Sequence, residues 1–189
     1  MTMKHIRHII ASCIVLLFTC SALKAQETSI SSANTNQKIG DVIIFALPLS
    51  TLGAAYIIGD KKGAWQFTKG FIITSAVTYG LKLSIDKERP DMSNHNSFPS
   101  GHTSTTFHSA GFIHSRYGFT YSIPAYLLAG FTAASRIDSK KHDIYDVLAG
   151  AAIGLGSNLL FTSEYQKKHM ELTFNSDKGD YLIGFNYNF

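Results

Sequence analysis

Residues 147–163, VLAGAAIGLGSNLLFTS, run for seventeen positions without an Asp, Glu, Lys or Arg. Their Ala, Leu, Ile and Gly content favours helix over strand. Four further segments read the same way: 42–59 (VIIFALPLSTLGAAYIIG), about 63–83 with Lys69 and Lys82 inside it, about 101–115, and 117–135. Together they predict an all-α fold, an antiparallel bundle of about five core helices. The longest uncharged runs, 17 to 19 residues, sit at the lower limit of the roughly 17–25 needed to cross a bilayer. Short membrane spans and buried helices of a compact bundle both satisfy that length. The first, fourth and fifth segments lack a polar stripe, which favours membrane association.

The 189 residues suit one domain with short appendages, and 45% hydrophobic against 16% charged excludes disordered and coiled-coil readings. The formal charge is +4, but Lys4, Arg7 and Lys24 lie in a segment (1–25) with no acid. That segment reads as a secretory signal: a basic start, the apolar run from Ile9 to Phe18, then small residues ending at Ala22 and Ala25. Cleavage after Ala25, or after Ala22, leaves a nearly neutral chain, which removes the electrostatic footprint of a nucleic-acid binder. Both cysteines, Cys13 and Cys20, fall inside the signal. The mature chain is therefore expected to have no disulfide, thiol nucleophile or cysteine-metal site.

Residues 26–40 are polar and Ser/Asn-rich and read as a linker ahead of a helical domain at 41–163. The tail, 164–189, changes texture. Leu172 and Phe174, then Tyr181, Ile183, Phe185, Tyr187 and Phe189, alternate with period two around the polar stretch Asn175–Gly179. That pattern predicts a short C-terminal β-hairpin. Its last strand resembles the final strand of outer-membrane barrels, but two strands cannot close a barrel, so packing on the helices or on a partner is expected.

Three clusters place costly polar residues among these apolar segments. In Lys82-LSIDKE-Arg89-Pro90 the two cations lie two helical turns apart on nearly one face, and Pro90 ends the helix. In Pro99-Ser100-Gly101-His102 a helix begins, offering free N–H groups and a positive dipole to an anion. In Ser135-Arg136-IDSKK-His142-DIY-Asp146 a histidine and a carboxylate four apart share a helical face. The carboxylate can hold one ring nitrogen and leave the other as a lone-pair donor. Each cluster alone has an ordinary reading: a solvated charge run, an N-cap with a stray histidine, a surface His–Asp pair. Alternating helices bring all three to one end of the bundle. One Lys, two Arg, a helix N-terminus and two His then converge, and such a set calls for an anion with the charge and acceptor oxygens of phosphate.

These motifs, in this order and spacing, resemble the three-part signature of the type 2 phosphatidic acid phosphatase and vanadium haloperoxidase superfamily. The resemblance covers Lys82–Asp146 by motif and about Asp41–Thr162 by helix count. It implies that His142 attacks phosphorus to form a phosphohistidine, with Asp146 orienting it. It implies that His102 protonates the leaving oxygen and then activates water, a role worth about 10²–10⁴-fold. Lys82, Arg89 and Arg136, with Ser100 and the Gly101 N–H, would cage the equatorial oxygens. Neither metal nor cofactor is then required. His95, His108 and His114 share no ligand spacing with carboxylates, so a zinc site is not expected.

The function so implied is a metal-independent phosphatase acting on a phosphomonoester or pyrophosphate, foremost of a lipid, in the bacterial cell envelope with its pocket facing the periplasm. Its partners would be that lipid phosphate and the membrane. The alternatives are a soluble periplasmic acid phosphatase of broad specificity, and a non-catalytic envelope protein that binds phosphate or lipid headgroups. A vanadate-dependent haloperoxidase could use the same pocket, but this chain is short for that branch.

Overall fold

The structure is a computed structural model and describes residues 32–163, 170–177 and 180–187. The expected signal segment 1–25 lies outside the described residues, as does the packing of the C-terminal tail. Five helices follow one another: α1 (Ser32–Ile57), α2 (Lys61–Ser84), α3 (Gly101–Tyr117), α4 (Phe119–Asp138) and α5 (Ile144–Phe161). They match the five uncharged segments. Farther on, β1 (Met170–Asp177) and β2 (Asp180–Tyr187) pair antiparallel with Met170 opposite Tyr187.

Several helix boundaries have a local cause. Asp60 caps α2 by accepting the Gly63 N–H at 2.9 Å. Gly118, at φ 102°, ends α3 and turns directly into α4, a backbone conformation costly for any side chain. Asp143 begins α5 with a reciprocal capping box whose second member is Asp146. At the end of the bundle away from the three clusters, Arg116 makes a bidentate, buried ion pair with Asp60, and Tyr117 donates to the same carboxylate at 3.0 Å.

One expectation is corrected here. The polar stretch 26–40 is not a linker throughout, because α1 begins at Ser32. Tertiary contacts offset its weak helical propensity: Asn36 donates to Asp138 at 3.3 Å, and the Gln37 carbonyl accepts from Arg136 at 2.6 Å.

α3 is the central helix and packs against the other four. The buried apolar side chains are few: one cluster of Ile43, Leu47, Ala110, Ala125 and Ala129, with Ala55, Phe67, Phe112, Ala133 and Val147 buried outside it. Much of the remaining interior is hydroxylic. Thr74, Thr78, Thr103, Ser104, Thr106, Thr132 and Ser157 are buried, together with His108 and Asn158. They bond across helices, Thr74 to Ser157 at 2.7 Å and Thr78 to Ser104 at 3.0 Å. Large apolar side chains point outward, among them Phe45 and Leu49 on α1, Ile72 on α2, Leu127 on α4 and Leu159 on α5. Small and hydroxylic residues between helices with apolar residues around them is the pattern of helices packed in lipid. Two helices, Thr35–Ile57 and Ile144–Phe161, are long and apolar enough to cross a membrane.

The tightest contact is α5 on α3. A Cβ at Gly154 would meet the Ser104 carbonyl oxygen at 2.3 Å and the His108 nitrogen at 2.7 Å, and neither backbone atom can move aside. Gly154→Ala is therefore expected to destabilise the bundle by about 1–3 kcal/mol. A Cβ at Gly156 meets nothing within 4 Å, so Gly156→Ala is the matched control. Thermal unfolding of the detergent-purified protein should separate the two variants.

Candidate active site

The chain ends that meet at one pole of the bundle are the start of α1, the end of α2, the start of α3, the end of α4 and the start of α5. Ser100 is the N-cap of α3; its Oγ accepts from the Thr103 N–H at 3.4 Å and from Thr103 Oγ1 at 3.0 Å. Its own N–H donates to the Asp146 carbonyl at 2.9 Å, so the first turns of α3 and α5 are joined directly. Gly101 opens α3 beside Lys82, whose Cε lies 3.8 Å from where a Cβ would stand. Lys82, in the last turn of α2, donates to the Asn96 carbonyl at 2.7 Å.

Arg136, in the last turn of α4, is buried. Its guanidinium donates to Asp41 at 2.8 Å and to the Gln37 carbonyl, while its own carbonyl accepts the N–H groups of Lys141 and His142. That turn, with Lys140 in the left-handed region at φ 55°, delivers His142 to the pole. His142 is 3% exposed and Asp146 fully buried. Asp146 Oδ2 lies 3.4 Å from His142 Nδ1, close enough for charge to act, with no hydrogen bond formed between them.

The sequence-selected residues thus come together. Lys82, Arg89 and Asp146 all lie close enough to bear on His142 electrostatically, and Arg89, Arg136 and Asp41 bear on His102. Arg89 stands between the two histidines as the shared neighbour. The other histidines among the described residues lie elsewhere. His95 pairs with Asp86 at 3.1 Å in the exposed loop, and His114 pairs with the Tyr126 hydroxyl at 3.1 Å. His108 is buried between helices, against Ser157 at 2.9 Å and the Phe67 carbonyl at 3.2 Å.

Sequence reasoning missed four contributors. Asp41 Oδ1 lies 2.8 Å from His102 Nε2 while also holding Arg136. A carboxylate only accepts, so the proton between them sits on the imidazole. Gln37 holds Arg136 through its backbone. Lys87 bridges Asp143 at 2.6 Å and Asp146 at 2.7 Å, and the Ser97 hydroxyl donates to Asp146 Oδ2. Asp41 read only as the border of an apolar segment, and Lys87 as part of a mixed charge run. No local spacing marks either one.

Burial first, and then the neighbouring cations Lys82 and Arg89, lower the pKa of His142 to about 4 against the upward pull of Asp146. The imidazole is therefore neutral across the physiological range. Nδ1 is the ring nitrogen nearer the carboxylate. A neutral imidazole near Lys82 and Arg89, with Arg136 and a helix N-terminus at the same pole, has the composition of a phosphoryl-transfer site.

Residues 48–170 match the family model described as the PAP2 superfamily, more than half of the chain. Lipid A 4'-phosphatase of Helicobacter pylori (strain J99) is 34% identical over 167 residues, covering 80% of this chain and 84% of that protein. Lipid A 1-phosphatase of Porphyromonas gingivalis is 40% identical over 89 residues, 46% of this chain but only 20% of that longer protein. Among solved structures, that of Aquifex aeolicus LpxE superposes with a TM-score of 0.60 at 18% identity, covering 70% of this chain and 87% of that one. At that identity the superposition shows a shared fold.

The low pKa of His142 has a signed consequence. The unfolded histidine takes up a proton near 6.5 and the folded one only near 4, so acidification through that window favours the unfolded chain. The thermal midpoint should fall between pH 6.5 and 4, and fall less in His142→Asn, which has nothing to titrate there. Equal falls in both proteins would contradict the assignment.

Proposed function

The chain belongs to the PAP2 superfamily, and we propose that it is a phosphatase of a membrane lipid, with a lipid A phosphomonoester as the substrate to test first. The observation that carries the reading is the convergence of Lys82, Arg89, Arg136 and neutral His142 at one pole of a bundle whose sides are apolar. Arg89 Nε adds to it. This donor is buried without a hydrogen-bond partner among the described residues, a condition that costs about 1–3 kcal/mol and that a phosphate oxygen would relieve. The lipid A phosphatase relatives support the choice of substrate.

In this reading His142 Nε2 attacks phosphorus as the bond to the lipid oxygen breaks. His102, paired with Asp41, supplies the proton to the departing oxygen. The second half reverses these roles: His102 takes a proton from water, water displaces the imidazole, and inorganic phosphate leaves with His142 neutral again. Lys82, Arg89, Arg136 and the α3 N-terminus bind the non-bridging oxygens throughout, and their charge takes the part that a metal ion plays in other phosphoryl-transfer sites. Ser100 serves by holding that helix start open toward the pocket.

The outward apolar side chains favour an enzyme seated in the bilayer over a soluble acid phosphatase. With residue 26 exported and α1 running inward, the pole carrying His142 would face the periplasm. Single cysteines at Lys62 and Met92, on a background lacking Cys13 and Cys20, would test this. An impermeant thiol reagent applied to whole cells with a permeabilised outer membrane should label position 92 and spare position 62, and the reverse pattern overturns the orientation.

For the activity itself, the detergent-purified protein is assayed for phosphate release in EDTA. Lipid A, phosphatidylglycerol phosphate, a polyprenyl pyrophosphate and a soluble aryl phosphate are compared, with His142→Ala alongside. Release from lipid A that is lost in His142→Ala, by at least about 10³-fold for a removed nucleophile, is the expected result. Release from the soluble ester alone would replace the lipid reading with an acid phosphatase.

A further inference from the structure

Lys87 has no place in the motifs and does not face the pocket, yet it carries the most direct contacts to the carboxylate behind His142. Its ammonium lies 2.7 Å from Asp146 Oδ1 and 2.6 Å from Asp143 Oδ2. Asp146 Oδ2, the oxygen turned toward His142, accepts from the Ser97 hydroxyl and from the Asp143 N–H at 3.1 Å. Lys87 and Ser97 come from opposite sides of one loop. The Lys87 carbonyl accepts the Ser97 N–H at 3.0 Å, and the Lys87 N–H donates to the His95 carbonyl at 3.2 Å. Two side chains of the α2–α3 loop therefore grip one carboxylate of α5.

We infer that Lys87 is a positioning residue of the phosphatase reaction, acting through Asp146 to keep His142 an oriented, neutral nucleophile. The inference rests on the phosphatase reading for its kinetic consequences and on geometry alone for its electrostatic ones.

The groups bearing on His142 are Lys82 from α2, Arg89 from the loop and Asp146 from α5. Only Asp146 stabilises the imidazolium. A buried carboxylate with no cation of its own would pull a proton onto the imidazole and remove the lone pair that attacks phosphorus. Lys87 partly cancels that pull from the opposite oxygen. It also fixes the rotamer, since with Oδ1 bound to the ammonium and Oδ2 to Ser97 the carboxylate cannot turn away from the ring. Lys82 and Arg89 bear on His142, and Lys82 also on Asp146, but the direct ion pair with that carboxylate is made by Lys87.

The side chain can be changed without removing the loop's own pairing, which runs through backbone atoms. Lys87→Met keeps the length and deletes the charge, Lys87→Gln keeps a donor without the charge, and Lys87→Arg keeps the charge. Two readouts are taken on detergent-purified protein. The first is the pKa of the His142 ring by NMR with labelled histidine, which needs no activity. The second is the pH dependence of kcat and KM for phosphate release from lipid A.

The expected result is a His142 pKa raised in Lys87→Met and Lys87→Gln and restored in Lys87→Arg. The kinetics should show kcat lowered about 10- to 100-fold, the scale of lost support behind a primary group, with KM nearly unchanged and the acid limb of kcat/KM moved upward. An unmoved ring pKa in a folded Lys87→Gln overturns the inference even if lipid A proves to be the wrong substrate. So does a loss confined to KM, which would make Lys87 a phosphate ligand. If Lys87→Met does not fold, the Gln and Arg variants carry both readouts. A shifted ring pKa in a wild type that releases no phosphate from any ester would retain the electrostatic role and discard the phosphatase reading.

Discussion

Asp146 is held by three separate elements of the fold, and the pole of the bundle is organised around it. Its peptide carbonyl takes the Ser100 N–H, which fixes the start of α3 against the start of α5. Its carboxylate closes the capping box that begins α5 and accepts from Ser97 and Lys87 of the α2–α3 loop. The same carboxylate stands behind His142. A residue read from sequence as the partner of a nucleophile is therefore also a helix cap and the joint between loop and bundle. Burial makes the arrangement strict, since a buried carboxylate with an unmet lone pair costs more than the net value of any one of its bonds.

The rest of the bundle is built to bring that joint together. α3 lies in the middle with its hydroxyls turned inward, and α5 lies against it closely enough that Gly154 has no room for a methyl. Close approach through small residues, with Thr and Ser bonding across the gap, replaces the large aliphatic core of a water-soluble bundle. Many of the large aliphatic and aromatic side chains are consequently outside, while Phe67 and Phe112 stay buried. At the opposite pole the buried Asp60–Arg116 pair holds the α1–α2 turn to the end of α3. Both poles are thus polar, and the sides between them are apolar.

Charge at the active pole is balanced in two layers. Lys82, Arg89 and Arg136 face inward, where their mutual repulsion is offset by bonds to carbonyls and to Asp41. Behind them a second set of pairs, Lys87 with Asp143 and Asp146 and Lys141 with Asp91, ties the surrounding loop down. The outer layer fixes the loop that carries Arg89, so that the proposed phosphate cage would stand ready before its anion arrives.

Much of this was readable in the chain itself. Five stretches of helical composition, charge-free or nearly so, gave the number of helices, and motif order with alternating direction placed Lys82, Ser100, Arg136 and His142 at one pole. Periodicity and capping are local, so they survive without knowledge of the fold. The identity of the carboxylate beside His142 was also local, being one helical turn away. What folding alone decided were the pairings between distant residues. Asp41 joins His102 and Arg136 from 61 and 95 positions away, and Lys87 reaches Asp146 from 59. The polar stretch before Asp41 became helix because Arg136 and Asp138 held it there. No spacing encodes such contacts, since a charge next to another in space leaves no mark on the chain between them. The sequence determined which residues could do the chemistry and at which pole; the tertiary structure decided what stands behind them.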